Sequence, residues 1–135
     1  MQICLKVSQA YSGDEEPPTP LLKVRLYDPT RRDNLGLEAK VDTGFSGSLL
    51  ITLDHYLKLG LQRYEEPQKA ETRRLATGLG VQIRASKGVL EVGSVRVNCA
   101  VYTTPILVKP LLGRELMNEW RLLLDGPKKR LDVEL

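Results

Sequence analysis

Aromatic side chains are scarce: the 135 residues include five tyrosines, one phenylalanine and one tryptophan. Val, Leu and Ile carry the apolar content instead, which favours strands packed face to face over a helical bundle. There is one histidine, His55, and there are two cysteines, Cys4 and Cys99. From these no Ser–His or Cys–His triad and no histidine-based metal site can be assembled, so neither metal nor cofactor is expected. The cysteine spacing is that of neither a disulfide framework nor a metal knuckle. Cys99 continues the apolar face of Val95, Val97 and Val101, which predicts a buried, reduced thiol. His55 falls on a short helix and reads as a surface residue. No apolar run approaches membrane-spanning length. The opening, Met1-Gln2-Ile3-Cys4-Leu5-Lys6-Val7, alternates and so does not read as a signal peptide. The expectation is a cytoplasmic chain with no membrane partner. Charge of one sign is also missing, with 20 Lys and Arg against 17 Asp and Glu. The basic run Lys128-Lys129-Arg130 has no interleaved aromatics and reads as a solvated turn, so no nucleic-acid partner is expected.

What is present is a series of short alternating segments. Leu35, Leu37, Ala39 and Val41 alternate with Gly36, Glu38, Lys40 and Asp42, the period of a strand with one buried face. That strand delivers a carboxylate at its end, followed by a small hydroxyl residue and a glycine: Asp42-Thr43-Gly44. Leu49-Leu50-Ile51 follows, and then Thr52 can cap a helix over Leu53–Leu59 that Gly60 stops. Before this stretch, Met1–Val7 and Leu22-Val24-Leu26 read as strands, separated by a polar, proline-rich segment (residues 11–20) that reads as a mobile surface loop. After it, Thr72–Ile83 reads as a hairpin hinged at Thr77-Gly78-Leu79-Gly80. Gly88–Val92 and Val95–Tyr102 form a pair around Gly93-Ser94. Ile106–Val108 and Leu111-Leu112-Gly113 lead into a helix over Arg114–Trp120, and Arg121–Asp125 with Arg130–Leu135 form a closing hairpin. The length suits one domain over residues 1–135.

Val41-Asp42-Thr43-Gly44 together with Leu111-Leu112-Gly113-Arg114 resembles the retropepsin-like aspartic proteases, and more closely their small cellular, prokaryotic-type members than the viral ones. The order of elements can be followed from about Val24 to Leu135. The resemblance implies an all-β, closed acid-protease-type barrel with a flap hairpin and one or two short helices, working as a two-fold homodimer. It implies a catalytic role for Asp42, with Thr43 locking the two active-site loops and Gly44 meeting substrate backbone. The flap tip would comprise Ala76, Thr77, Gly78, Leu79 and Gly80. Phe45 would line or narrow the central subsites. Leu111, Leu112 and Gly113 would pack beneath the Asp loop. In viral members the arginine matching Arg114 pairs with an acid just beyond Asp-Thr-Gly. Here Phe45-Ser46-Gly47 carries no acid, so a partner for Arg114 lies elsewhere.

Peptide hydrolysis without metal or covalent nucleophile needs one group to activate water and another to protonate the carbonyl oxygen. Two carboxylates a few ångströms apart do both, because charges so close share one proton. The chain has one Asp-Ser/Thr-Gly: Asp14, Asp28, Asp33, Asp54, Asp125 and Asp132 begin none. The second carboxylate is therefore expected from a second copy across a two-fold axis. The expected substrate is an extended peptide or unfolded protein bound as an added strand. The alternative is a dimeric β-barrel that binds peptides or a partner protein without catalysis.

Overall fold

The computed structural model describes residues 5–67, 71–74, 80–106 and 109–135. Within them the chain forms β1 (Lys6–Ala10), β2 (Leu21–Tyr27), β3 (Asn34–Val41), β4 (Leu49–Thr52), α1 (Leu53–Lys58), a 3-10 turn (Leu61–Tyr64), β5 (Glu71–Arg74), β6 (Gly80–Val92), β7 (Val95–Thr104), β8 (Leu111–Leu112), α2 (Arg114–Met117), β9 (Arg121–Asp125) and β10 (Arg130–Glu134). Among the described residues the protein is mostly β, with two short helices. No helix among the described residues is long and apolar enough to cross a membrane.

The strands form two sheets: a three-stranded sheet in the order β1-β10-β9, and a seven-stranded sheet in the order β2-β3-β8-β4-β7-β6-β5, in which β2 also pairs with β6. Alternation drives β2 and β3: Leu22, Val24, Leu26, Leu37 and Ala39 are buried while the residues between them face outward. These side chains join Leu49, Ile51, Leu90, Val101 and Leu112, and on the other side Leu131 and Val133 of the small sheet, in one core. The two sheets are also stitched by Gln9, whose Oε1 accepts from the Lys23 N–H at 2.5 Å. At the start of α1 the Thr52 hydroxyl accepts from the His55 N–H at 3.3 Å, and Gly60, in the left-handed region at φ +69°, ends the turn.

Three features of the strands and helices differ from the sequence reading. In the described residues the first strand is Lys6–Ala10, running past Val7, where the alternating pattern ends; residues 1–4 of that pattern lie outside the described residues. Gly80–Val92 is one strand of 13 residues, not two, because Arg84–Gly88 continue the pairing with β7 opposite Cys99–Thr103. Gly88 is there for space: a Cβ on it would lie 2.6 Å from Val101 Cγ2. The second helix stops at Met117.

The proline-rich segment is docked. Ser12 N–H donates to Thr19 O at 2.8 Å, and the Glu15 carboxylate accepts from Lys109 Nζ at 2.8 Å, Lys40 Nζ at 3.3 Å and the Thr19 hydroxyl. Hydrogen bonds from Lys109 above all, then from Thr19 and Lys40, hold that carboxyl down at about 2. The segment lacks an apolar face and is fastened by charge. Cys99 and His55 are both half-buried: Cys99 packs against the core, and His55 Nδ1 is out of contact with solvent. Cys4 lies outside the described residues.

Candidate active site

Asp42 stands where β3 ends, and a partner strand far away in sequence holds it there. β3 and β8 run parallel, with Lys40 opposite Leu111 and Val41 opposite Leu112. β4 runs antiparallel to β8, with Leu49 opposite Leu112. β8 is therefore a two-residue wedge between the strand entering the Asp42 loop and the strand leaving it.

The backbone then fixes the loop. Asp42 N–H donates to Leu112 O at 3.0 Å, Phe45 N–H to Asp42 O at 3.2 Å, and Gly113 N–H to Ser48 O at 2.8 Å. Arg114 N–H donates to Phe45 O at 2.9 Å and Glu115 N–H to Gly47 O at 3.1 Å. Amides at the start of α2 thus donate to the carbonyls of the Asp42 loop, which satisfies groups that would otherwise be costly to bury. The approach is close enough to require glycine: a Cβ on Gly113 would sit 2.0 Å from Gly47 O, and one on Gly47 2.5 Å from Phe45 Cζ.

The Asp42 side chain is half-buried, and its Oδ1 accepts from the Gly44 N–H at 2.8 Å. Thr43 and Gly44 are exposed. Phe45 is turned inward at 8% exposure and meets Tyr102 edge to face, with centroids 5.9 Å apart and planes at 87°. Leu50, Ile83, Ala85 and Ala100 complete a second small core around these rings, and Leu111 packs against it. Ile83 belongs to β6, so this cluster joins the floor of the Asp42 loop to the base of the β5–β6 hairpin, where Glu71 pairs with Ile83 and Arg74 with Gly80.

Among the sequence-derived site residues, the structure brings Asp42, Thr43, Gly44 and Phe45 together with Leu111, Leu112, Gly113 and Arg114. The Arg114 side chain is exposed. Ala76, Thr77, Gly78 and Leu79 lie outside the described residues, and Gly80 opens β6. Among the described residues no group of three or more His, Cys, Asp or Glu side chains is placed to hold a metal ion. Sequence reasoning did not single out Gly47, Ser48 or Tyr102 as loop supports. Tyr102 was hidden because residues 100–104 of β7 are buried on both faces, which erases alternation.

No protein-family model matches the chain, and neither does any curated protein sequence. Solved structures do. A retropepsin-like aspartic protease from Rickettsia conorii is similar at TM-score 0.61 and 17% identity, over 98% of this chain and 92% of that one. EIAV protease, in complex with the inhibitor HBY-793, is similar at TM-score 0.56 and 17% identity, over 82% of this chain and 93% of that one. The retroviral protease-like domain of Ddi1 from Leishmania major is similar at TM-score 0.52 and 14% identity, over 79% and 82%. The fold is retropepsin-like.

Proposed function

We propose that the protein is a homodimeric aspartic endopeptidase in which Asp42 of each copy supplies half of a carboxylate pair. One Asp42 draws a proton from the attacking water while the other, protonated, donates to the peptide carbonyl oxygen. The observation that carries this reading is Asp42 itself: a carboxylate at a strand end, oriented by the Gly44 amide and anchored by Leu112, on a retropepsin-like fold. The exposure of Thr43 and Gly44 leaves them accessible to a second copy and to substrate backbone.

The β2–β6 pairing supports reading the seven-stranded sheet as a closed barrel. The β5–β6 hairpin serves as the flap, and an extended peptide lies between it and the floor as an added strand. Phe45 shapes that floor from beneath.

Substituting Asp42→Asn tests the proposal. The variant should keep the wild-type fold and solution mass and lose cleavage of a peptide library; undiminished cleavage would refute the assignment. Cleavage by wild type should be fastest at acidic to mildly acidic pH, since the pair works with one shared proton. A rate climbing steadily into alkaline pH would count against it.

A further inference from the structure

The surface beside Asp42 is polar on one side, and residues 11–20 supply part of it. Lys40 and Asp42 make equivalent bonds two residues apart: Lys40 N–H donates to Pro110 O at 2.9 Å and Asp42 N–H to Leu112 O at 3.0 Å. Their side chains therefore leave the strand on one face, with backbones about 7 Å apart. The neighbouring lane is equally defined. Leu21 of β2 pairs with Lys40, and Val41 N–H donates to Pro20 O at 3.2 Å. Extending that register by one residue sets Thr19 abreast of Asp42, with Ser12 bridged to Thr19 in the lane beyond. Lys109 stands on the opposite flank, just before Pro110.

One carboxylate spans these lanes. Glu15 Oε1 accepts from Lys109 Nζ at 2.8 Å, and Oε2 accepts from Lys40 Nζ at 3.3 Å and from the Thr19 hydroxyl. The match is uneven, because each ammonium has three donors and Glu15 engages one on each. Both lysine side chains keep access to solvent, 38% for Lys40 and 52% for Lys109. Asp14 and Glu38 border the same cavity, of about 260 Å3. Among the described residues neither acid lies within ion-pair distance of the two lysines, whose ion pairs run to Glu15. The Glu15 hydrogen bond also raises the Lys109 ammonium above its ordinary value, so it is fully charged in acidic and neutral solution.

We propose that the floor beside Asp42 takes an acidic side chain of the substrate, its carboxylate held by the spare donors of Lys40 and Lys109. The inference rests on the endopeptidase reading above and names the substrate class of that site: an extended peptide with Asp or Glu close to the cleaved bond. Glu15 orients the two lysines and cancels half of their charge, leaving the equivalent of one positive charge for the substrate to meet. In a two-fold dimer the same wall recurs beyond the cleaved bond, so the preference should hold on either side of it.

Paired peptides carrying Glu or Gln near the cleaved bond test this, with both ends blocked so that only the side chain supplies a carboxylate. At mildly acidic pH, where glutamate is largely ionised, wild type should cleave the best Glu peptide about threefold faster in kcat/KM than its Gln partner, the size of an exposed ion pair. The advantage should shrink as salt is added. Lys40→Gln and Lys109→Gln should each reduce it, and Glu15→Gln should enlarge it. Equal cleavage of every pair by wild type, or an advantage unchanged in both lysine variants, would overturn the proposal. Should Lys40→Gln unfold, Lys109→Gln, which lies outside the strands, carries the test alone. Binding separates this proposal from the endopeptidase reading. Asp42→Asn should bind the labelled Glu peptide more tightly than the Gln peptide by about the same factor, read by fluorescence anisotropy. That preference without any wild-type cleavage supports the lysine site and refutes the endopeptidase reading; cleavage without preference does the reverse. A protein that neither binds nor cleaves the peptides refutes both.

Discussion

At the scale of single residues, the tolerance around Asp42 is set by Gly113, whose missing Cβ would lie 2.0 Å from a backbone oxygen. Gly113→Ala should therefore cost about 3 kcal/mol in urea unfolding, because backbone cannot rotate aside as a side chain can. Gly126→Ala, with nothing within 4 Å of the added carbon, should leave stability near wild type. Asp28 is a second sensitive position, 3% exposed at the β2–β3 turn. Burial pushes its carboxyl up, but the Thr30 hydroxyl and the N–H groups of Asp33, Thr30 and Arg32 outweigh burial and leave it below the ordinary 3.8. A carboxyl lowered by folding adds stability above its unfolded value and loses it as acid protonates the native state. Asp28→Asn should cost about 2 kcal/mol at neutral pH, with the gap to wild type narrowing below pH 3.8. The placement of residues in local patterns could be read from sequence, as for Asp42-Thr43-Gly44 at a strand end. The contact of Gly113 with Gly47 could not, because it depends on an approach between distant segments.

At the scale of elements, sequence was informative wherever one face of a strand meets water. β2 and β3 fall close to their alternating patterns for that reason. β6 ran through an apparent break, because its polar residues are held by pairing with β7. The segment over residues 11–20 carries no periodic signal at all, and its attachment by Glu15 depends on two lysines reached only after folding. That attachment is testable. Glu15→Gln should raise hydrogen exchange at Ser12 and quicken proteolytic nicking within the segment, with little effect on exchange in β3. The wild-type carboxyl is held down at about 2. Its bonds are therefore fully present above the ordinary 4.5 and weaken only as pH falls toward 2, so exchange protection should persist through mildly acidic solution.

At the scale of the whole molecule, the proposed sharing of the site between two copies would link activity to concentration. Cleavage per mole of protein should fall on dilution below the dimer dissociation constant. The midpoint of thermal unfolding should rise with protein concentration, because association stabilises only the folded chain. A midpoint independent of concentration, alongside full activity at high dilution, would argue for a site complete within one protomer.

The parallel pairing of β3 with β8 also has a consequence in time. The Asp42 loop donates a hydrogen bond to Leu112 O and accepts others from the N–H groups of Gly113, Arg114 and Glu115, all of which are synthesised long after Asp42 itself. Pairings so distant along the chain form slowly and late. A nascent chain still lacking β8 carries the aspartate but not its support, so the loop around it cannot take its folded shape until β8 has been made.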